Sequence, residues 1–339
     1  MVENCIRVPK QFGSYAIRLI SSRELLADAK PIVDGTYLLI PTSDPKAALS
    51  LLQGKVPDVS ECSGNFKFRR RTSRLSDEVG GVSGFLKIGR IVLFSYNHSI
   101  GFNKYVEAAA AVADMYGGLE SVFLKLGTTG ELRLPELVLL YGSGSTLTDV
   151  RESGLTFRVD VAKTYFNPRL SGERLRIAEL AKDDERILDM FSGVAPFSLV
   201  IASRRRVKVV ANDLNPYAAA LAAINVRVNL RRLKGEVKVV RSDANLLPRV
   251  LSGAFDRIIM NNPTASLKFL ATACALAADV GFLHVYVLYD NRSSVTDAVL
   301  SALPTTCRAD VLGVRRALEY SPSRSVFAVD LQIRKTSQG

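Results

Sequence analysis

The stretch LDMFSGVAPFSL, residues 188–199, contains the local pattern on which the fold prediction depends. It predicts a buried strand that ends at Asp189, a tight turn around Gly193 and a helix whose first residue is Pro196. A glycine at such a turn allows a ligand to approach the backbone closely. The turn has a single glycine rather than the G-x-G-x-x-G pattern of pyrophosphate sites. It therefore favours a ligand without phosphates, the alternative being a plain strand-to-helix turn.

Strands and helices alternate along the chain from about residue 162. This alternation predicts a mainly parallel, doubly wound α/β sheet. Two last strands, joined by the short turn SPSR (321–324), predict a closing antiparallel hairpin that the six-stranded dinucleotide fold lacks. Residues 270–290 are interpreted as a helix, a turn and a strand, too interrupted to span a bilayer. The predicted strands span 185–191, 207–213, 237–243, 256–262, 282–290, 309–319 and 325–334, and the predicted helices span 216–230, 266–278 and 293–303.

Polar residues follow the first four of these strands. Besides Asp189 they are Asp213, Asp243 and Asn261. An acid after the second strand can accept both hydroxyl hydrogens of a ribose. The next acid can accept a hydrogen bond from an adenine amino group, and Asn261 can offer its amide to a planar base. The four residues together predict a nucleoside site, although each acid alone has the alternative of capping a helix or a turn.

The sequence before residue 162 predicts two smaller modules. A basic segment rich in Arg, Gly and Ser separates them and is interpreted as a linker. FLKIGRIVLFSY (85–96) is predicted as one strand, TYLLIPT (36–42) as another, and DPKAALSLLQG (44–54) as a helix. The predicted domains are an α/β module at 1–68, a linker at 69–84, an α+β module at 85–161 and the doubly wound domain at 162–339.

Composition and charge narrow the function classes. The 339 residues carry a formal net charge of +12, which favours a polyanionic partner such as nucleic acid. The four cysteines are far apart without a C-x-x-C pair, and there are two histidines, His98 and His284. This pattern predicts neither a disulfide framework nor a metal site. A reducing, cytoplasmic compartment fits this cysteine usage, and the first ten residues lack the apolar core of a signal peptide.

A second motif precedes the glycine turn, in FRVDVAKTYFNPRLSGERLRIAEL (157–180). Together with DMFSGVAPFSL, ANDLNPYA and MNNPTAS, it resembles the archaeal and eukaryotic tRNA (guanine-37 N1)-methyltransferases. These are class I S-adenosylmethionine (AdoMet)-dependent enzymes with a Rossmann-like fold. AdoMet has a ribose and an adenine but no phosphate, which suits the single-glycine turn. The resemblance covers nearly the whole chain and implies AdoMet as cofactor and a tRNA with guanosine at position 37 as partner, without metal or membrane.

The resemblance implies a role for each matched position. Glu173 is similar to the family's general base, which takes the proton from guanine N1. Arg133 is placed as the cation at guanine O6, Tyr165 as a stacking or positioning residue, and Asn261 as a hydrogen-bond partner of the guanine edge. The implied cofactor-binding residues are Asp189, Phe191, Gly193, Pro196, Asp213, Leu214, Asp243, Ala244, Asn261 and Pro263.

The basic linker gains a role from this resemblance. Phosphate contacts give affinity without sequence information, and the predicted RNA-binding residues are Lys67, Arg69, Arg70, Arg71 and Arg169. The protein is expected to act as a monomer. One departure concerns the substrate base, since Asn262 replaces the leucine of the family's usual Asn-Leu-Pro motif. The alternatives are a wyosine-pathway transferase that methylates C7 of the tricyclic precursor, and an inactive methyltransferase fold that binds RNA.

Overall fold

The computed structural model describes residues 2–336 apart from 24, 28, 30, 67–74, 76–78, 80, 83, 131, 133 and 322. The chain forms two compact units, Met1–Asp77 and Glu78–Gly339. The four-part domain division stays a prediction. Among the described residues, no helix is both long and apolar enough to cross a membrane.

The first unit packs helices on an antiparallel sheet with the strand order β2-β3-β1-β4. The predicted strand at 36–42 and helix at 44–54 are confirmed, and Asp44 caps the helix by accepting a hydrogen bond from the N–H of Ala47 at 3.0 Å. Ile6, Ile20 and Leu52 are fully buried in its core. The elements are β1 (Val2–Pro9), α1 (Gly13–Ser21), β2 (Ile32–Asp34), β3 (Tyr37–Pro41), α2 (Pro45–Leu52) and β4 (Ser60–Phe66).

A disulfide joins Cys5 on β1 to Cys62 on β4. The prediction that the four cysteines form no disulfide framework is wrong for this pair, whose members are 57 residues apart in the sequence. They are direct partners in the β1–β4 register, with their Cα atoms 4.8 Å apart. That distance lies within the range that disulfides span. The pairing of the strands, which the spacing of the cysteines does not reveal, brings the two sulfurs together.

The second unit begins with a sheet ordered β5-β6-β7-β8 and a separate β9–β10 hairpin. The prediction of one strand over 85–96 is wrong, because the chain turns at Gly89 and forms an antiparallel pair. Gly89 has φ of +56°, and a side-chain carbon there would lie 2.6 Å from the carbonyl oxygen of Asp149. The elements are β5 (Leu86–Ile88), β6 (Ile91–Ser95), α3 (Phe102–Tyr116), β7 (Ser121–Thr129), β8 (Leu134–Gly142), β9 (Leu147–Glu152) and β10 (Leu155–Asp160).

Within the described residues, seven strands form the main sheet in the order β13-β12-β11-β14-β15-β17-β16. The first five in this order run parallel, and β17 pairs antiparallel with both β15 and β16. The predicted doubly wound sheet with a closing hairpin is confirmed. The strands are β11 (Arg186–Asp189), β12 (Lys208–Asn212), β13 (Glu236–Val240), β14 (Phe255–Met260), β15 (Ala277–Tyr289), β16 (Cys307–Ser321) and β17 (Arg324–Lys335).

Helices cover both faces of this sheet. They are α4 (Ser171–Leu180), α5 (Pro196–Arg204), α6 (Pro216–Asn229), α7 (Leu247–Val250), α8 (Leu270–Leu276) and α9 (Arg292–Ser301). The sheet separates two hydrophobic cores. Successive residues of one strand belong to different cores, as Ile187 and Leu188 of β11 do. This alternation follows from the period of two in a strand. The turn predicted inside 270–290 is wrong, because β15 starts directly after α8 and includes Gly281.

Candidate active site

The polar residues predicted at the strand ends lie along one edge of the parallel part of the sheet. Asp189 ends β11, and Asp213 directly follows β12. Asp243 comes shortly after β13, and Asn261 directly follows β14. The strands β13, β12, β11 and β14 are neighbours in that order and run parallel. The four residues therefore share the carboxyl edge, where open α/β sheets bind ligands.

The Gly193 turn joins three segments at this edge. Gly193 has φ of +55°, and a side-chain carbon there would lie 3.3 Å from the carbonyl oxygen of Tyr165. Its N–H donates to Oδ2 of Asp213 at 2.7 Å, while the N–H of Asn215 donates to Oδ1 of Asp213 at 2.9 Å. Burial raises the pKa of Asp213, and these two donors oppose the rise. Each carboxylate oxygen keeps a lone pair, so Asp213 is oriented and can still accept from two hydroxyl groups.

The cap of helix α6 is Asn215 rather than Asp213. Oδ1 of Asn215 accepts a hydrogen bond from the N–H of Tyr217 at 2.9 Å. Its Nδ2 donates to the carbonyl oxygen of Lys163 at 2.7 Å, which ties α6 to the second motif. Asn215 therefore caps this helix, and Asp213 does not.

Three buried polar atoms around the Gly193 turn have no hydrogen-bond partner within the described part of the chain. They are Oδ1 of Asp189, Oγ of Ser192 and Oδ1 of Asn212. The other oxygen of Asp189 accepts a hydrogen bond from Ser198 at 2.7 Å. Burial raises the pKa of Asp189 to about 7. Buried polar groups are rarely left unpaired, so this cluster has the donors and acceptors to hold a polar ligand.

The loops after β13 and β14 complete the edge. Asp243 accepts a hydrogen bond from the N–H of Asn245 at 2.9 Å and so caps a short turn, beginning at the buried Ala244. Asp243 therefore does cap a turn, as the alternative interpretation predicts. Its second carboxylate oxygen has no hydrogen bond within the described residues. The side chain of Asn261 likewise forms none there. The carbonyl oxygen of Pro263 accepts from the N–H of Leu288 at 2.8 Å, which holds the loop to β15.

Apolar side chains border the same turn. The ring of Phe191 packs edge-on against Phe269 with their centroids 5.1 Å apart. Pro196 is buried as the first residue of α5. Leu214, beside Asp213, is 43% exposed. Such surfaces suit the flat face of a purine base.

The second motif is organised by Arg174, which the sequence analysis missed. The side chain of Arg174 is 2% exposed, and its Nη1 lies 2.6 Å from Oε2 of Glu152 on β9. Its Nη2 donates to the carbonyl oxygen of Asn167 at 2.7 Å. Nδ2 of Asn167 in turn donates to the hydroxyl of Tyr165, which is 63% exposed. Arg169 follows and is exposed.

Glu173, the predicted general base, lies in the first turn of α4. Its Oε2 accepts from Nη2 of Arg176 at 2.7 Å and from the hydroxyl of Tyr286 on β15 at 2.9 Å. Its Oε1 has one longer contact, to Nε of Arg176 at 3.2 Å. Tyr286 packs against Phe197 of α5 with ring centroids 5.7 Å apart. This packing links Glu173 to the helix that starts at the Gly193 turn.

Several predicted site residues lie outside the described part of the chain. They are Arg133, Lys67, Arg69, Arg70 and Arg71. No cluster of three or more His, Cys, Asp and Glu side chains able to hold a metal ion occurs among the described residues. His284 is buried between Arg257 and Asp330.

The chain is similar in sequence to known tRNA methyltransferases. The profile of the TRM5/TYW2 methyltransferase domain matches residues 148–311. The tRNA (guanine(37)-N(1))-methyltransferase Trm5b of Methanocaldococcus jannaschii is 29% identical over 98% of this chain and 99% of its own. Taw22 of Nanoarchaeum equitans, a tRNA (guanine(37)-N(1))/4-demethylwyosine(37)-methyltransferase, is 41% identical over 39% of this chain and 41% of its own.

A solved structure extends the agreement to the fold. It is described as the complex of aTrm5 and tRNALeu, is 25% identical in sequence, and superposes with a TM-score of 0.66 over 97% of this chain and 99% of that one. The match includes the first unit as well as the doubly wound sheet. Residues 148–311 therefore match the TRM5/TYW2 methyltransferase domain, and nearly the whole chain is similar to a Trm5b enzyme in sequence and to a Trm5 structure in fold.

Proposed function

We propose that this protein transfers the methyl group of AdoMet to N1 of guanosine 37 in tRNA. The observation that carries the proposal is the similarity to Trm5b of M. jannaschii, which spans 98% of this chain and includes both motifs. When bound, AdoMet supplies an electrophilic methyl group, and the residues of this chain supply the rest. The inactive-fold alternative is disfavoured because Asp213, Asp243 and Glu173 are retained.

The strand-end row supports the binding of AdoMet. Asp213 has two remaining lone pairs for the ribose hydroxyls, and Asp243 has a remaining oxygen for the adenine amino group. The unpaired oxygens of Asp189, Ser192 and Asn212 suit the charged amino-acid end of the cofactor, which offers an ammonium donor. AdoMet has no phosphate, so the single-glycine turn does not have to supply backbone N–H groups for a pyrophosphate.

Glu173 is proposed to accept the proton of guanine N1. That N–H is too weak an acid to ionise unaided at neutral pH, so a carboxylate within hydrogen-bond reach lowers the barrier. Oε1 is the less occupied oxygen of Glu173 and is the proposed acceptor atom. Arg133 is proposed to stabilise negative charge that develops on guanine O6. The exposed Tyr165 and the unpaired amide of Asn261 are proposed to stack on and hydrogen-bond the base.

The net charge of +12 supports a tRNA substrate. Lys67, Arg69–Arg71 and Arg169 are the proposed phosphate contacts, and Arg169 is exposed as this role requires. A cytoplasmic location and a monomeric state are also proposed. The Cys5–Cys62 bridge removes the cysteine argument for a reducing compartment, so the location rests on the tRNA substrate alone.

A second candidate activity is C7 methylation of the wyosine precursor at the same tRNA position. Its support is Asn262 in place of the usual leucine, together with the similarity to the bifunctional Taw22. Oδ1 of Asn262 accepts from the hydroxyl of Thr264, and its carbonyl oxygen accepts from the hydroxyl of Ser266 at 2.9 Å. The residue thus shapes the loop beside Asn261.

The test uses unmodified tRNA transcripts, labelled AdoMet and mass spectrometry of the nucleoside digest. We expect 1-methylguanosine with guanosine at position 37 and none when that position is adenosine. Glu173→Gln should slow methyl transfer about 10²–10⁴-fold with little change in tRNA affinity. The matched control Glu179→Gln, on the exposed face of the same helix, should retain full activity. Product only on tRNA that carries the tricyclic precursor would move the assignment to the second candidate, and tRNA binding without product on either would refute both.

A further inference from the structure

The Glu173 carboxylate is one end of a chain of charged groups that runs across α4 and the closing strands. Arg176 uses one edge of its guanidinium for Glu173 and the other edge for Asp330 on β17. Its Nη1 donates to Oδ2 of Asp330 at 2.8 Å, and its Nη2 lies 3.3 Å from Oδ1. The side chains of Glu173 and Asp330 are 12% and 6% exposed. One cation is therefore shared by two carboxylates that are almost fully removed from water.

Asp330 has two further partners from neighbouring strands. Nδ1 of His284 on β15 lies 2.6 Å from its Oδ1, and Nη2 of Arg315 on β16 lies 3.1 Å from its Oδ2. On the other side of the ring, Nη1 of Arg257 lies 2.6 Å from Nε2 of His284. Arginine has donors only, so Nε2 must accept and the ring proton must be on Nδ1. His284 is thus a neutral donor to Asp330.

The charges of this group balance when His284 is neutral. Burial lowers the pKa of His284, in agreement with the neutral form. Burial also raises the pKa of Asp330, but its donors His284 and Arg176 outweigh that effect and the net pKa lies below the ordinary value. The cations Arg176, Arg315 and Arg257 then match the carboxylates of Glu173, Asp330 and Glu185, the last of which pairs with Arg257 at 2.8 Å.

We propose that Asp330 is a positioning residue for the proton acceptor Glu173 and acts through Arg176. By holding the Nη1 side of Arg176, Asp330 fixes the guanidinium so that its contacts concentrate on Oε2 of Glu173 and leave Oε1 available. It also offsets the cation's charge, which would otherwise make the Glu173 carboxylate a weaker proton acceptor. This inference rests on the proposed function and assigns part of the proton-transfer machinery to the closing hairpin.

The charged and titratable groups around Glu173 determine the direction of the expected pH effect. Arg176 from α4 and Tyr286 from β15 contact Glu173 directly. Asp330 from β17 contacts Arg176, and His284 from β15 and Arg315 from β16 contact Asp330. Burial, followed by the charge of Glu173, raises the pKa of Tyr286 well above its usual value, so its hydroxyl stays a donor. Removing the charge of Asp330 leaves the arginines in excess, which favours the ionised carboxylate at Glu173.

The decisive variant is Asp330→Asn, assayed in the full chain with tRNA and AdoMet across pH 5–9. We expect kcat to fall about 10–100-fold, KM for tRNA and AdoMet to stay within about 2-fold, and the acid limb of the kcat profile to move to lower pH. The matched control is Asp310→Asn, which removes an exposed ion pair with Arg334 on the same hairpin and should leave the profile unchanged.

A second variant guards against misfolding of the first. Arg315 is 39% exposed at its side chain, so Arg315→Gln should be tolerated. Loss of the Arg315 cation leaves more of the negative charge of Asp330 uncompensated near Arg176 and Glu173. The acid limb of the kcat profile should therefore move to higher pH. Opposite shifts in the two variants support the inference. An unmoved acid limb in a folded Asp330→Asn or Arg315→Gln protein overturns it, whereas a wild-type protein without methyl transfer overturns the proposed function instead.

Discussion

Replacing Asp189 by asparagine should stabilise the protein at neutral and basic pH while it impairs cofactor binding. The carboxyl group is 1% exposed, and burial raises its pKa from 3.8 to about 7. Between these two values the folded state keeps a proton that the unfolded state has lost. Wild-type stability therefore falls as pH rises from about 4 to about 7.

The size of this effect follows from the pKa difference. About three pKa units correspond to about 4 kcal/mol at pH 8, at 1.36 kcal/mol per unit. An asparagine avoids this ionisation cost and can keep the hydrogen bond from Ser198. Its amide N–H₂, placed where Oδ1 of Asp189 has no partner, costs about 1–3 kcal/mol when buried unpaired. We therefore expect Asp189→Asn to be about 1–3 kcal/mol more stable than wild type at pH 8.

The assay is urea unfolding at several pH values, followed by far-UV circular dichroism because the chain has no tryptophan. The stability difference between variant and wild type should grow from pH 4 to pH 7 and then stay constant. The control Asp183→Asn removes an exposed acid whose pKa is lowered by hydrogen bonds from Arg206. Its stability difference should have the opposite sign above pH 4. A pH-independent difference for Asp189→Asn would refute the burial argument.

Three other predictions concern the cofactor, the core and the RNA. Asp213→Ala should weaken AdoMet binding in calorimetry, and unchanged affinity would mean that the ribose lies elsewhere. Glu152→Gln should lower the free energy of unfolding by about 3 kcal/mol, because it leaves the buried guanidinium of Arg174 without a counter-charge; an unchanged urea midpoint would contradict this. Replacing Arg69–Arg71 by alanine should weaken tRNA binding and flatten its salt dependence. The same salt slope in variant and wild type would show that this run is only a solvated surface.

Local patterns in the sequence sufficed for the doubly wound sheet and for the strand-end row. Asp189, Asp213 and Asn261 could be placed because each follows a short apolar strand, and parallel neighbouring strands end at the same edge. The closing hairpin was also predicted, since its two strands are separated by a short turn. The prediction at 85–96 was wrong because Gly89, where the chain turns, lies inside an otherwise strand-like run. The carbonyl oxygen of Asp149, which leaves no room for a side chain at Gly89, is 60 residues away in the sequence.

The sequence by itself therefore determined the sheet and the glycine turn, and its resemblance to a known family implied Glu173 as the candidate proton acceptor. Only the tertiary structure decided what surrounds that acceptor. Tyr286 is 113 residues from Glu173, and Asp330 is 154 residues from Arg176. The same limit applies to Cys5 and Cys62 and to the pair of Arg174 with Glu152. Ion pairs and disulfides depend on which strands and helices pack together, and no periodicity or spacing along the chain encodes contacts between elements so far apart.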